Sequence, residues 1–212
     1  MAVTATNLTP LVMQLGRARA AVMDVHAVLN STCSAIPGLL GIAGAVLQLA
    51  EPADDRRFFA SDAWAAWIGE IQYREGMGPL LTALRTGRVL VIHDLTRIGP
   101  PTVAATAAEY GLVSSLALPI ETDGVRAGAL QLLGEAQRPV EAAHADVLRP
   151  LLEVLAARLL DVQDLRRAAL RPTSGAAGAA AADRAGPRRV SDSGMLPSVR
   201  SSAPSPRKRA TD

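Results

Sequence analysis

Residues 72–91 read Q-Y-R-E-G-M-G-P-L-L-T-A-L-R-T-G-R-V-L-V, and residues 114–134 read S-S-L-A-L-P-I-E-T-D-G-V-R-A-G-A-L-Q-L-L-G. These two stretches decide the fold because each carries its own punctuation. In the first, Gly76-Met77-Gly78 makes a tight turn. Pro79 suits the first position of a helix, where its missing N–H costs nothing. Leu80, Leu81 and Leu84 give that helix an apolar side, and Gly87 is placed at C′, where φ is often positive. In the second stretch, two apolar runs flank Thr122-Asp123-Gly124. Asp-Gly between such runs predicts a hairpin, because the turn needs positive φ. The reading is therefore helix, strand Val89–His93, loop Asp94–Pro101, a short helix from Pro101 to Gly111, and two paired strands, Ser114–Ile120 and Val125–Leu133.

Upstream, Ser61 or Asp62 can cap a helix. Its Trp64, Trp67, Ile68 and Ile71 fall at i, i+3, i+4 and i+7, which predicts one buried face. Before it lie a short strand, Arg56–Ala60, a turn at E-P-A-D-D, and a buried strand within Leu39–Leu49 whose glycines suggest close packing. Thr9-Pro10 opens a first helix with apolar residues from Leu11 to Ile36, and Pro37-Gly38 is expected to end it. Downstream, Pro139 opens a long helix reaching about Ala169. Leu148, Leu152, Leu155, Leu159 and Val162 share one face of it, and Leu151 widens the stripe. A-G-A-V-L-Q-L at 43–49 and A-G-A-L-Q-L at 127–132 look alike. Two strands packed under the same helices can converge on that pattern.

The chain has 212 residues, 49% of them hydrophobic but only 3% aromatic. The core must be built from Leu, Val, Ile and Ala. All the Trp and Phe, namely Phe58, Phe59, Trp64 and Trp67, fall within ten positions. The net charge of +2 hides a division. Residues 1–170 carry 14 Arg against 17 acidic residues, a balance of −3; residues 171–212 carry seven Arg and one Lys against three Asp, a balance of +5. The basic character belongs to the tail. From Arg171 on, the chain is rich in Ala, Gly, Ser, Pro and Arg without periodic apolar residues, so 171–212 is expected to be a disordered basic tail after a domain at 8–170. Arg188-Arg189-Val190-Ser191 in that tail suits an arginine-directed serine kinase. The tail has no aromatic residue to stack on bases, so nucleic acid is not an expected partner. No apolar run reaches the roughly 18 to 20 residues that span a bilayer. The N-terminus has neither the basic region nor the apolar core of a signal peptide. With a single cysteine, Cys33, these features point to the cytoplasm.

The order of elements resembles a GAF domain over roughly residues 20–168. The residues that carry the resemblance are Gly76-Met77-Gly78-Pro79-Leu80, Ala83-Leu84-Arg85-Thr86-Gly87, Asp94-Leu95, Gly111-Leu112, Ser114-Ser115-Leu116-Ala117-Leu118-Pro119 and Gly128-Ala129-Leu130. It looks most like the solitary GAF modules of actinobacterial regulators. The resemblance implies an α+β fold: a central antiparallel sheet with helices on both faces and a long C-terminal helix. It also implies terminal helices that support a homodimer, and a small-molecule pocket between the sheet and the helices on its other face. The RNA-binding antitermination domain of many related regulators does not follow the long helix here. The N-K-F-D-E signature of cyclic-nucleotide-binding members is not visible. Bilin-carrying members need a cysteine near the pocket, and members that reduce free methionine sulfoxide need several. This chain has Cys33 alone, on the first helix, so no cofactor is implied.

The candidate pocket residues are Trp64, Trp67, Ile71, Tyr73, Met77, His93, Asp94 and Thr96. The first five either line a pocket for an apolar or planar ligand or close the core over one sheet face. His93, Asp94 and Thr96 sit at a loop mouth and could hydrogen-bond a ligand, while Asp94 can equally cap its own loop. His26 and His144 make no metal-binding pattern with His93. Ser114-Ser115 lacks a G-x-S-x-G context. Cys33 reads as a buried small hydrophobe. With no nucleophile beside a base, no paired carboxylates and no metal cluster, the expected function is a non-enzymatic sensory or regulatory module. It would bind a small molecule or protein partner in signal transduction or transcriptional regulation. The alternative is an interaction or dimerisation module with a vestigial pocket.

Overall fold

The computed structural model describes residues 8–17, 24–53 and 56–170. The tail expected to be disordered, with its Arg188-Arg189-Val190-Ser191 motif, lies outside the described residues. The elements follow the order α1 (Thr9–Arg17), α2 (Val25–Leu40), β1 (Gly44–Ala53), β2 (Arg56–Ala60), α3 (Ala63–Glu75), α4 (Pro79–Thr86), β3 (Leu90–Ile92), α5 (Pro101–Glu109), β4 (Leu112–Thr122), β5 (Val125–Glu135) and α6 (Ala143–Leu170). The strands form one antiparallel sheet in the order β2-β1-β5-β4-β3. This is the expected α+β architecture, with helices on both faces and a long C-terminal helix.

The hairpin closes as its Asp-Gly demands, with Asp123 at φ 51° and Gly124 at φ 77°. Its register pairs Thr122 with Val125 and runs to Leu112 opposite Glu135. Helix α4 begins at Pro79 and ends against Gly87 at φ 69°. Asp62 caps α3 by accepting from the Ala65 N–H at 3.0 Å.

The strands alternate between two cores. Leu47 and Leu49 of β1, Leu116, Leu118 and Ile120 of β4, and Leu130 and Leu132 of β5 pack with α2, α1 and α6. Val46, Ala117, Ala129 and Leu133 pack instead with α3, α4 and α5. A strand covered on both faces has no reason to alternate with polar residues, which is why these segments read as continuous apolar runs. On α6, Leu148, Leu151, Leu152, Leu155, Leu159 and Val162 are all buried. Burial of each such side chain stabilises by roughly 1.5–3 kcal/mol. That stripe therefore belongs to the core of the domain, and Leu165 beyond it stands out, 48% exposed.

Several boundaries differ from the sequence reading. The first helical segment is α1 and α2, with residues 18–23 between them outside the described set. Helix α2 runs through Pro37 and stops at Gly41, whose N–H bonds the Pro37 carbonyl at 2.9 Å. Proline near a C-terminus removes one helical bond, and burial of Ile36 and Leu40 on either side offsets that loss. Strand β1 accordingly starts later, at Gly44. Helix α6 starts at Ala143 rather than Pro139, because a bridge between Glu135 and Arg138 and a bond from the Val140 N–H to Ser114 Oγ at 2.8 Å hold the intervening chain against the sheet.

Candidate functional site

The expected pocket residues are not gathered around one cavity. Ile71 is buried in the core beneath α3, and Trp64 is half-buried, its ring stacked on Tyr110 at 5.9 Å and an interplanar angle of 23°. Trp67, Tyr73 and Met77 are outside, 46%, 45% and 53% exposed. Arg74 lies over the Trp67 ring, and Arg57 lies over the Tyr73 ring. The i, i+3, i+4, i+7 pattern thus placed Trp67 on the wrong side of α3. The face that meets the sheet is carried by Ala65, Ile68, Gly69, Ile71 and Gln72. A Cβ on Gly69 would come within 2.8 Å of Val46 and 3.2 Å of Phe58, so the helix lies too close to the sheet to seat an indole there.

The loop residues behave as a self-contained turn. His93 is exposed, and Asp94 and Thr96 are half-buried. Asp94 Oδ1 accepts from the Thr96 N–H at 3.1 Å and from the Thr96 hydroxyl at 2.6 Å. This is the capping role open to Asp at such a position, and it leaves Leu95 to fill the core.

Buried polarity lies elsewhere on the same sheet face, in a layer of side-chain amides between the sheet and α3 and α4. Gln72, Gln131 and Ser115 are each 0% exposed. Gln72 Oε1 accepts from the Leu80 N–H at 2.9 Å, in the first turn of α4. Gln72 Nε2 donates to Gln131 Oε1 at 2.7 Å and to the Ile68 carbonyl at 3.3 Å. Gln131 Nε2 donates to Ser115 Oγ at 2.7 Å. One chain of hydrogen bonds thus ties α4 to α3, β5 and β4. The close approach requires glycine at position 78: its φ is 131°, and a Cβ there would stand 2.5 Å from Gln72 Cγ and Oε1.

Gln48 belongs to this layer. It is 1% exposed and pairs with Phe58 and Ala129, both packed on the α3 side, while its neighbour Val46 pairs with Gln131. Its Oε1 is buried and accepts no hydrogen bond. An unsatisfied buried acceptor costs about 1–3 kcal/mol. In the sequence Ser115 is weighed only as a nucleophile and as part of the family resemblance, and none of the three glutamines is singled out as a site residue. The signal that would have found Gln48 and Gln131 was the resemblance between 43–49 and 127–132. The two segments are the adjacent strands β1 and β5, and each places a glutamine on the α3 and α4 face.

On the opposite face, Cys33 is fully buried, and its Sγ donates to the Phe59 carbonyl at 3.4 Å. Burial pushes its thiol up to about 12, with a hydrogen bond to the Leu47 backbone pulling the other way. It is a core residue held as a neutral thiol. A surface cleft of about 310 Å³ also opens between α6, β4 and the end of α4, near Arg149, Glu121 and Glu153. Arg149 there is engaged by Asp146 at 2.6 Å. Among the described residues, no three His, Cys, Asp or Glu are grouped to hold a metal ion, and no helix is long and apolar enough to cross a membrane.

A family model described as GAF domain matches residues 22–159, and the antiparallel sheet with its two helical layers is consistent with it. The chain belongs to the GAF domain family. GAF domains are in general sensory and regulatory ligand-binding modules. Among solved structures, this GAF domain is similar to the GAF domain of a phosphoenolpyruvate-protein phosphotransferase from Acinetobacter, at 10% identity and TM-score 0.51, covering 75% of this chain and 93% of that one. It is similar to free methionine-R-sulfoxide reductase from Neisseria meningitidis, solved with its substrate, at 17% identity and TM-score 0.52, covering 78% and 95%. It is also similar to CepR2 of Burkholderia cenocepacia, an N-acylhomoserine lactone dependent LuxR family transcription factor, at 17% identity and TM-score 0.52, covering 76% and 99%. At these identities the likeness is one of fold. No curated protein matches the chain in sequence.

Proposed function

We propose that this GAF domain is a non-enzymatic, cytoplasmic sensory or regulatory module that binds a small molecule between the sheet and helices α3 and α4. The observation that carries the reading is the amide layer of Gln48, Gln72, Gln131 and Ser115. Buried polar groups are costly where aliphatic side chains would pack as well, and here four of them lie on the sheet side covered by α3 and α4. The un-ionised, fully buried Cys33 supports a binding role over thiol chemistry. Terminal helices α1 and α6 pack on each other and leave Met13 and Leu165 exposed, which supports a homodimer through these helices. Native mass spectrometry of the purified chain tests both points at once. The expected result is a dimer that retains a small molecule.

A second reading, an interaction module with a vestigial pocket, is favoured by the aromatic surface. Trp67, Tyr73 and Tyr110 are all about half exposed on or beside α3 and α5, and such side chains are enriched where proteins meet. A stable protein partner recovered by pull-down, with no small molecule in the native spectrum, would select this reading over the first.

A further inference from the structure

The amide layer is uneven in one respect. Gln72 and Gln131 have partners for their amide groups, whereas the side-chain carbonyl of Gln48 has none. The register pairs Gln48 with Phe58 on one strand and Ala129 on the other. Ala129 contributes only a methyl group. Helix α4 packs across β1, β5 and β4 over this face, and it is a short unit bounded by Gly78 and Gly87, both with positive φ. The groups that the layer presents are amide N–H, amide C=O, one hydroxyl and aliphatic side chains. None of them carries a charge. An ionised ligand placed there would lose its hydration and find no counter-charge. A neutral ligand with an N–H donor would instead satisfy the unpaired acceptor, and amide edges recognise amide edges through paired donor and acceptor.

We propose that Gln48 Oε1 is the recognition acceptor for a small uncharged amide or cyclic amide, and that this site rejects carboxylates, nucleotides and inorganic anions. The inference rests on the ligand-binding reading above and narrows it to one class of ligand. Gln48 is then a specificity-determining residue, and α4 is the element that must yield for the ligand to enter.

The test compares the full-length chain with Gln48→Leu. Nicotinamide, hydantoin and thymine serve as neutral probes; nitrate, pyruvate and cyclic AMP serve as charged ones. Binding is read by NMR of the glutamine side-chain amides and by thermal melting. The expected result is that a neutral probe shifts the amide signals of the layer and raises Tm, that the charged probes do neither, and that Gln48→Leu weakens the neutral probe about tenfold or more. Without probe, the variant should melt at the same temperature as the parent or higher, because it removes an unpaired buried acceptor. A charged probe that binds parent and variant alike would overturn this inference while leaving the sensory reading in place. Failure of every neutral probe to bind the parent would also overturn it. So would a lower Tm of the probe-free variant, since the carbonyl would then have a structural partner in solution. Native spectra free of any small molecule would instead count against the ligand-binding reading itself.

Discussion

Replacing Gln72 with leucine tests whether the amide layer holds the domain together as a continuous unit. Leucine has a similar volume, so the change removes hydrogen bonds with little change in packing. Two buried groups lose their partner: the Leu80 N–H, now bonded at 2.9 Å, and Gln131 Oε1, now bonded at 2.7 Å. Each orphaned group costs about 1–3 kcal/mol. The added apolar burial of leucine returns part of this, on the order of 1 kcal/mol. The expected net loss is about 1–5 kcal/mol, a large share of the stability of an ordinary domain. Gln131→Leu breaks the same bond from the other side and also releases Ser115 Oγ. The double variant should therefore be less damaged than the sum of the singles, with a coupling of about 1–2 kcal/mol. Urea unfolding followed by far-ultraviolet circular dichroism measures all four proteins, and a constant m-value keeps the comparison valid. If Gln72→Leu stayed within about 0.5 kcal/mol of the parent, or the two changes added to within that amount, the layer would not be one unit.

Gly78→Ala should destabilise by roughly 2–4 kcal/mol in the same assay, because the backbone at φ 131° suits glycine and the new Cβ would meet Gln72 at 2.5 Å. Trp67→Ala should change stability by less than about 1 kcal/mol, whereas Ile68→Ala, one position on, should cost about 2–5 kcal/mol, since Trp67 is 46% exposed and Ile68 is fully buried. Cys33 gives an alkaline dependence. Its folded-state value of about 12 lies above the 9.0 of an accessible thiol, so the native state keeps a proton that the unfolded chain releases. Its contribution is complete below about pH 9 and is lost as the pH rises toward 12, by up to about 4 kcal/mol. Cys33→Ala should lack that component of the slope when unfolding is measured from pH 8 to 11.

The parts of this fold legible in the chain are those decided within a few residues. Asp123-Gly124 can serve hardly any purpose but a hairpin turn. Pro79 and Gly87 mark the two ends of α4 through φ preferences that need no tertiary partner, and the α6 stripe is long enough for its period to be plain. What stayed hidden depended on contacts between distant segments. Pro37 looked like a stop because the cost of its missing N–H is local, while the burial of Ile36 and Leu40 that offsets it is not. Trp67 looked buried because helical spacing alone cannot say how close a helix lies to its sheet; Gly69 settled that, against Val46 and Phe58. Gln48 and Gln131 sat inside apolar runs, and nothing in a single strand tells which of its two faces carries the polar residue. Only the register of β1 on β5 brings the two glutamines to one face.

That register also limits how such a module could signal. The amide layer lies on one face of the sheet and α6 packs on β4 and β5 from the other, so the strands connect an event under α4 to the long helix. On β4, Ser115 and Ala117 face α3 and α4, while Leu116 and Leu118 face α6. On β5, Gln131 faces the amide layer between Leu130 and Leu132, which pack in the α6 core. A shift in Gln131 or Ser115 therefore moves backbone whose adjacent side chains are leucines sharing one core with Leu148, Leu151 and Leu155. Close-packed interiors respond to such shifts by repacking rather than by absorbing them. The physical path from a ligand to the terminal helices is then one residue long, from Gln131 to the leucines on either side of it, and a ligand changes α6 only by as much as it binds one packing of those leucines better than another.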